Sequence, residues 1–368
     1  MRIIDADGHI VEPKEVFTEY LDPKYHDWAP RVVQYGDHFR YACGDRLGFP
    51  IHARPETVGA PGQTTAAPMT EEPVVAQGAD DPAGRLIDLD IENIDIAVLY
   101  PTYGLMIQGV TEREPAAALC RAINDWLATY CAHDPSRLIG IGVLPMAHPD
   151  DALAEAERCV SELGFKGVWR RPERIPGTAA LHDPGYEPLW SFLEESNTPI
   201  SVHPGLNGAT PSDFYMNHFD NDYTAMHAAH FPVEQMMNVT DFVSFGILER
   251  HPELRVAFLE CGAGWVPYYM HRLDEHLEVF GYPNAKLSMK PSEYFQRQCF
   301  VSVEEVEPAM GVVMDAYPDS VVFASDYPHG DGLFPGATKE LMETDQISDA
   351  DRNRIFDDNA VRLYALET

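Results

Sequence analysis

Short β-branched runs alternate with helical stretches along most of this chain, and that alternation constrains the fold more than any other feature. The runs are Ile3–Ala6, Ile96–Tyr100, Ile139–Leu144, Gly167–Arg170, Ile200–His203, Val256–Glu260, Phe300–Val303 and Val321–Ser325. Helical patterns separate them at Glu114–His133, Asp151–Leu163, Tyr186–Glu195, Val233–Arg250, Trp265–Val279 and Val306–Ala316, and Asp349–Tyr364 follows the last. Strict alternation means βα units and a parallel sheet. Eight units in 368 residues suit a closed barrel, so the expected fold is α/β, a distorted (β/α)8 TIM barrel. An open doubly wound sheet is the other solution, but no GxGxxG follows the first strand. The chain is expected to be a single domain over residues 1–368. Two stretches break the alternation, 12–90 and 205–232, and are expected to be long lid insertions after strands 1 and 5. The first is rich in Pro and Gly, with Pro55, Pro61, Pro68 and Pro73 close together. Both follow strands, which puts them at the barrel face where active sites are built.

Charge removes several function classes. With 59 acidic and 26 basic residues, the formal net charge is −33. Phosphate backbones and anionic membrane surfaces would repel such a chain, so neither nucleic acid nor membrane is an expected partner. Hydrophobic residues make up 45% of the chain, too many for a disordered acidic polymer. The N-terminus reaches Asp5 and Asp7 at once and lacks the apolar core of a signal peptide. Six scattered cysteines without a CxxC pair suggest reduced thiols and a cytoplasmic location.

Chemistry gathers at the strand ends. Asp7 and His9 flank Gly8 after the first strand, and residues two apart on an extended chain point to one side. His203 ends the fifth strand, Glu260 the sixth and Asp326 the eighth. In a closed barrel these ends converge. Two imidazoles with two or three carboxylates suit one divalent ion, zinc first and manganese or iron next, with a position open for water or substrate. Arg170, after the fourth strand, is a candidate fork for a substrate carboxylate. Trp169 and His329 are candidate pocket walls. His230, in the second long link, is a candidate for proton transfer.

These motifs in this order resemble the amidohydrolase superfamily, in its decarboxylase-like branch with amino-carboxymuconate-semialdehyde decarboxylase and γ-resorcylate decarboxylase. The resemblance runs from Ile4-Asp5-Ala6-Asp7-Gly8-His9 through His203-Pro204-Gly205 and Gly246-Ile247-Leu248-Glu249-Arg250-His251-Pro252-Glu253-Leu254 to Ser325-Asp326-Tyr327-Pro328-His329. It closes on Asn359-Ala360-Val361-Arg362-Leu363-Tyr364. It implies a mononuclear metal enzyme with Asp7, His9, His203 and Asp326 as ligands. The carboxylated lysine of binuclear relatives has no counterpart, since the fourth strand ends Val168-Trp169-Arg170-Arg171. Asp7 departs from the His or Glu usual in relatives. Glu260 stands where the branch carries a histidine for proton transfer, so Asp326, Glu260 and His230 remain the candidates for that role. The implied activity is decarboxylation of an aromatic or unsaturated carboxylic acid. Hydrolysis of an amide, ester, lactone or C–C bond by metal-activated water, and hydration of a double bond, are the alternatives. Relatives are commonly dimers or tetramers, so a homo-oligomer is expected.

Overall fold

In a computed structural model, the structure describes residues 1–35, 38–51, 77–174, 177–205, 214–215, 217–220, 222–330 and 332–367. Eight parallel strands form one sheet: β1 (Ile4–Ile10), β5 (Ile96–Pro101), β6 (Leu138–Val143), β7 (Gly167–Arg170), β8 (Ile200–Val202), β9 (Val256–Phe258), β10 (Cys299–Val303) and β11 (Val321–Phe323), neighbours in that order. Each strand is bonded to the next in sequence, the arrangement a (β/α)8 barrel requires. The ends of the sheet meet through backbone bonds at the top of the seam. Asp326 N donates to Asp7 O at 3.0 Å, and His9 N donates to Tyr327 O at 2.6 Å. All eight runs expected to be strands are strands.

The strands are short and buried on both faces, which is why they read as β-branched runs rather than as alternating patterns. Side chains facing inward fill the barrel: Ile4, Ala6, Val98, Tyr100, Ile141, Trp169, Ala257, Phe300 and Val322 belong to one buried cluster. A second cluster lies between the strands and the surrounding helices, with Leu99, Val168, Trp190, Phe242, Phe258 and Phe295.

The stretch 12–90 holds more regular structure than its composition suggested. It contains an antiparallel sheet of β2 (Arg31–Tyr35), β3 (His38–Cys43) and β4 (Arg46–Ile51). It also contains a helix, Pro82–Glu92, capped by the Asp81 carboxylate on Ala83 N at 3.0 Å and ended by Asn93 at φ 58°. The Pro-rich run at 52–76 lies outside the described residues.

The helix expected to start at Val233 begins at Tyr223, so the tail of the expected 205–232 lid is helical. Pro232 stands just before the expected start at Val233. The true cap is Asp222, whose carboxylate takes Ala225 N at 2.8 Å, and Pro232 lies inside the helix. Gly246, at φ 73°, then divides the expected Val233–Arg250 segment into Tyr223–Ser244 and Ile247–Arg250. Residues 206–213 lie outside the described residues. Among the described residues, no helix is long and apolar enough to cross a membrane.

Candidate functional site

β1 carries three buried polar side chains, Asp5, Asp7 and His9, each 0% exposed. Asp5 serves the seam. Its carboxylate accepts Ser325 N at 2.9 Å, Ser325 Oγ at 2.6 Å and Asp7 N at 3.3 Å. Buried Arg85, from the helix Pro82–Glu92, stands 3.8 Å from Asp5 and donates to His9 O at 2.8 Å. Gly8 makes this approach feasible, because a Cβ there would lie 2.4 Å from Arg85 Nη2 and 2.6 Å from Asp5 Oδ2. The backbone that presents Asp7 and His9 is therefore fixed from behind by a carboxylate and a guanidinium.

Ahead of that backbone the four expected ligands fall into two groups that share His9: Asp7, His9 and His203 in one, and His9, Asp326 and His329 in the other. His9 Nε2 and His203 Nε2 are 2.9 Å apart. Asp7 Oδ1 lies 3.6 Å from His9 Nε2 and 3.4 Å from His203 Nε2, and Asp326 Oδ1 lies 3.5 Å from His9 Nε2. Ligand atoms about 2.0–2.2 Å from one ion stand roughly 3 Å or slightly more from each other, so these separations fit a shared ion. Both Asp7 carboxylate oxygens are buried without a hydrogen-bond partner among the described residues, which a cation between them and the imidazoles would resolve. His203 Nδ1 lies 2.8 Å from Pro204 O, an arrangement that leaves Nε2 bare for a metal. Burial, then the neighbouring His329 and His203, hold His9 well below the ordinary imidazole range, in the neutral form a metal needs. The residues present fit one divalent ion.

Two strand ends carry backbone strain. Glu260 and Asp326 sit at φ 52° and 50°, in the left-handed region that favours glycine, at a cost of roughly 1–3 kcal/mol each. Glu260 Oε2 lies 3.4 Å from His203 Nδ1, and Glu260 N donates to Ser302 Oγ at 2.9 Å. Asp326 lies 2.8 Å from His329 Nδ1, while His329 Nε2 meets Thr102 Oγ1 at 3.1 Å. The His329 ring also stacks on His9 at 4.0 Å. His329 is thus built into the ligand cluster.

The remaining candidates separate. Trp169 faces inward, its ring 6.0 Å from that of His203, and its indole N–H has no partner among the described residues. Alternation turns Arg170 the other way. Its guanidinium donates to Asn238 Oδ1 at 2.7 Å and to the Pro172 and Glu173 carbonyls at 3.4 and 3.2 Å, so the helix Tyr223–Ser244 engages the fork expected for substrate. Arg171 holds the Gly205 carbonyl at 2.9 Å and pairs with Glu173. His230 is buried with its Nε2 2.9 Å from Glu234 Oε1, on the helix that Gln235 pins to the Val202 and Leu259 carbonyls. Burial lowers His230 to about 4, so at neutral pH the ring carries no extra proton to give.

The family model described as amidohydrolase matches residues 4–366, almost the whole chain. The chain belongs to the amidohydrolase family. A γ-resorcylate decarboxylase of Rhodococcus jostii is 28% identical over 294 residues, covering 77% of this chain and 87% of that protein. An amidohydrolase from Mycobacterium avium subsp. paratuberculosis superposes with a TM-score of 0.80 at 22% identity, over 100% of this chain and 98% of that one. The 5-carboxyvanillate decarboxylase of Novosphingobium aromaticivorans, complexed with manganese and 4-hydroxy-3-methoxy-5-nitrobenzoic acid, gives 0.72 at 22% identity over 99% and 96%. As an amidohydrolase, this chain keeps its metal-type donors at the C-terminal strand ends, where the fold places active sites.

Asp5, Arg85, Thr102, Glu173 and Glu234 were not singled out in the sequence. Asp5 was legible, two residues before Asp7. Glu234 was legible only once the helix start moved to Tyr223, which sets it one turn after His230.

Proposed function

We propose that this amidohydrolase is a metal-dependent decarboxylase of a small aromatic or unsaturated carboxylic acid. The reading rests on the buried convergence of Asp7, His9, His203 and Asp326, whose neighbouring donor atoms lie 2.9–3.6 Å apart. Decarboxylases among the relatives and solved structures support it. Zinc and manganese both suit two imidazoles and two carboxylates, and the solved 5-carboxyvanillate decarboxylase is complexed with manganese. When bound, the ion supplies Lewis-acid charge for the substrate carboxylate and a neighbouring oxygen.

The chain's own residues then handle the proton. Loss of carbon dioxide from an sp² carbon requires that carbon to gain a proton first. Asp326 is the proposed donor, facing the cluster on one side and His329 on the other. His329 Nδ1 renews the proton on Asp326, and Thr102 holds the far side of the ring. The C–C bond then breaks, its electron pair returns to the ring, and carbon dioxide leaves. Glu260, beside His203, orients that imidazole. Trp169 forms one wall of the pocket. All six cysteines are free, in keeping with the proposed cytoplasmic setting.

The test is carbon dioxide release from ortho-hydroxybenzoic acids and carboxymuconate-type acids by zinc- or manganese-loaded protein. Equimolar carbon dioxide and decarboxylated product are expected. Turnover of esters, amides or double-bond hydration without carbon dioxide from any acid would overturn the reading.

A further inference from the structure

A second set of ionisable side chains is buried beside the metal cluster, and the proton chemistry does not use it. Arg171, Glu173, His230 and Glu234 are 3%, 7%, 0% and 3% exposed. They come from the turn after β7 and from the helix Tyr223–Ser244. Arg171 fastens them to the site, since its guanidinium pairs with Glu173 and holds the carbonyl of Gly205, two residues past His203. Phe231 and Met226 of the same helix pack on Cys261, next to Glu260. The set therefore stands over the ends of β7, β8 and β9, on the same face as the metal ligands.

Its polar atoms are incompletely satisfied. Glu173 Oε2, Glu234 Oε2 and His230 Nδ1 are buried and have no hydrogen-bond partner among the described residues. Three such groups within one small region are costly unless a ligand or water completes them. All three can accept a hydrogen bond, given a neutral imidazole protonated on Nε2. Burial, the largest influence on each, moves His230 to about 4 and Glu234 to about 7, so the cation of the set is Arg171. Arg171 is already engaged with Glu173, Leu105 O and Gly205 O.

We propose that Glu173, Glu234 and His230 form the subsite for the end of the substrate remote from the metal, and that this end carries a hydrogen-bond donor, a hydroxyl or an amine. The inference rests on the decarboxylase reading of the adjacent metal site. It narrows the substrate class to acids that pair a metal-binding carboxylate with a donor across the ring. A methyl or hydrogen at that position would leave buried acceptors without partners, the situation that gives polar subsites their strongest discrimination.

Calorimetric titration of the manganese-loaded full chain tests this, with 2-hydroxybenzoate and its 3-, 4- and 5-amino and matching methyl derivatives as probes. At one ring position the amino compound should bind about tenfold or more tighter than the methyl compound. In Glu234→Leu, and separately in Glu173→Leu, which remove the acceptor oxygens at similar length, that ratio should fall to about one. Two variants on different segments keep the test intact if one of them does not fold. Metal-dependent binding of 2-hydroxybenzoate with equal amino and methyl affinities at every position would overturn the subsite and leave the decarboxylase reading standing. A preference that survives both substitutions would also overturn it. Absence of metal-dependent binding by any of these acids would overturn the decarboxylase reading, and the subsite with it.

Discussion

Replacing Asp7 by Asn should change the sign of its effect on stability according to whether metal is present. The side chain is 0% exposed, both carboxylate oxygens lack hydrogen-bond partners among the described residues, and it lies 3.4 Å from His203 and 3.6 Å from His9. A buried polar group left unpaired costs about 1–3 kcal/mol, more when charged. In the metal-free protein, Asp7→Asn removes that charge from a closed site and should stabilise by about 1–3 kcal/mol. In the metal-loaded protein it removes a ligand. An ion at a hundredfold excess over its Kd contributes about 2.7 kcal/mol, which the variant should lose. Unfolding entropy near 2.1 cal/mol/K per residue, over 368 residues, makes each kcal/mol worth about 1.3 °C in Tm. The metal-free variant should therefore melt about 1–4 °C above the wild type. The metal-induced rise, about 3–4 °C in the wild type, should vanish at the same ion concentration. Scanning calorimetry with chelator and with zinc or manganese reads both changes. A metal-free variant that melts below the wild type, or that keeps the full metal-induced rise, would refute the assignment of Asp7 as a ligand.

Other outcomes follow from the same geometry. Gly8→Ala sets a Cβ 2.4 Å from Arg85 Nη2, and overpacking of about 1–3 kcal/mol should appear in urea denaturation; an unchanged midpoint would contradict the seam described above. His329→Phe removes the 2.8 Å contact to Asp326, and kcat should fall about a hundredfold while KM stays within about threefold; a change confined to KM would place His329 on the substrate instead. Glu12 accepts Tyr103 N and Gly104 N at 2.9 and 3.0 Å, yet burial raises its pKa to about 7. A carboxyl raised on folding binds its proton more tightly in the folded state, so its contribution to stability falls as pH rises from about 4.5 to about 7, by roughly 3 kcal/mol. Glu12→Gln should flatten that part of the stability profile; an unaltered slope would show that Glu12 does not titrate there.

Local sequence was enough for the strands and for the candidate ligands that the fold brings near one another, because both depend on short-range pattern. Strands buried on two faces read as apolar runs, and the candidate ligands lie within a strand, as Asp7 and His9 do in β1, or within three residues of its end, as His203 and Asp326 do. The stretch 12–90 was harder. β2–β4 pair with one another across turns, and the helix Pro82–Glu92 announces itself only by Asp81-Pro82 and by Asn93. Arg85, which reaches the metal strand from that helix, was hidden with it. The direction of Arg170 was also hidden. Arg170 ends β7 next to inward-facing Trp169, and the partner that takes its guanidinium, Asn238, is 68 residues away on the helix Tyr223–Ser244. That helix was itself obscured, since a proline ordinarily interrupts a helix and Pro232 lies in the interior of this one. Residues tied to the site through another side chain leave little trace in a linear pattern.

Asp7, His9, His203 and Asp326 are proposed to hold one divalent ion. Anomalous diffraction from manganese-loaded crystals measures this directly. One peak per chain is expected, about 2.0–2.3 Å from His9 Nε2, His203 Nε2 and a carboxylate oxygen of each aspartate. A site without a peak, or a peak whose ligands exclude His9 and His203, would rule out this metal site.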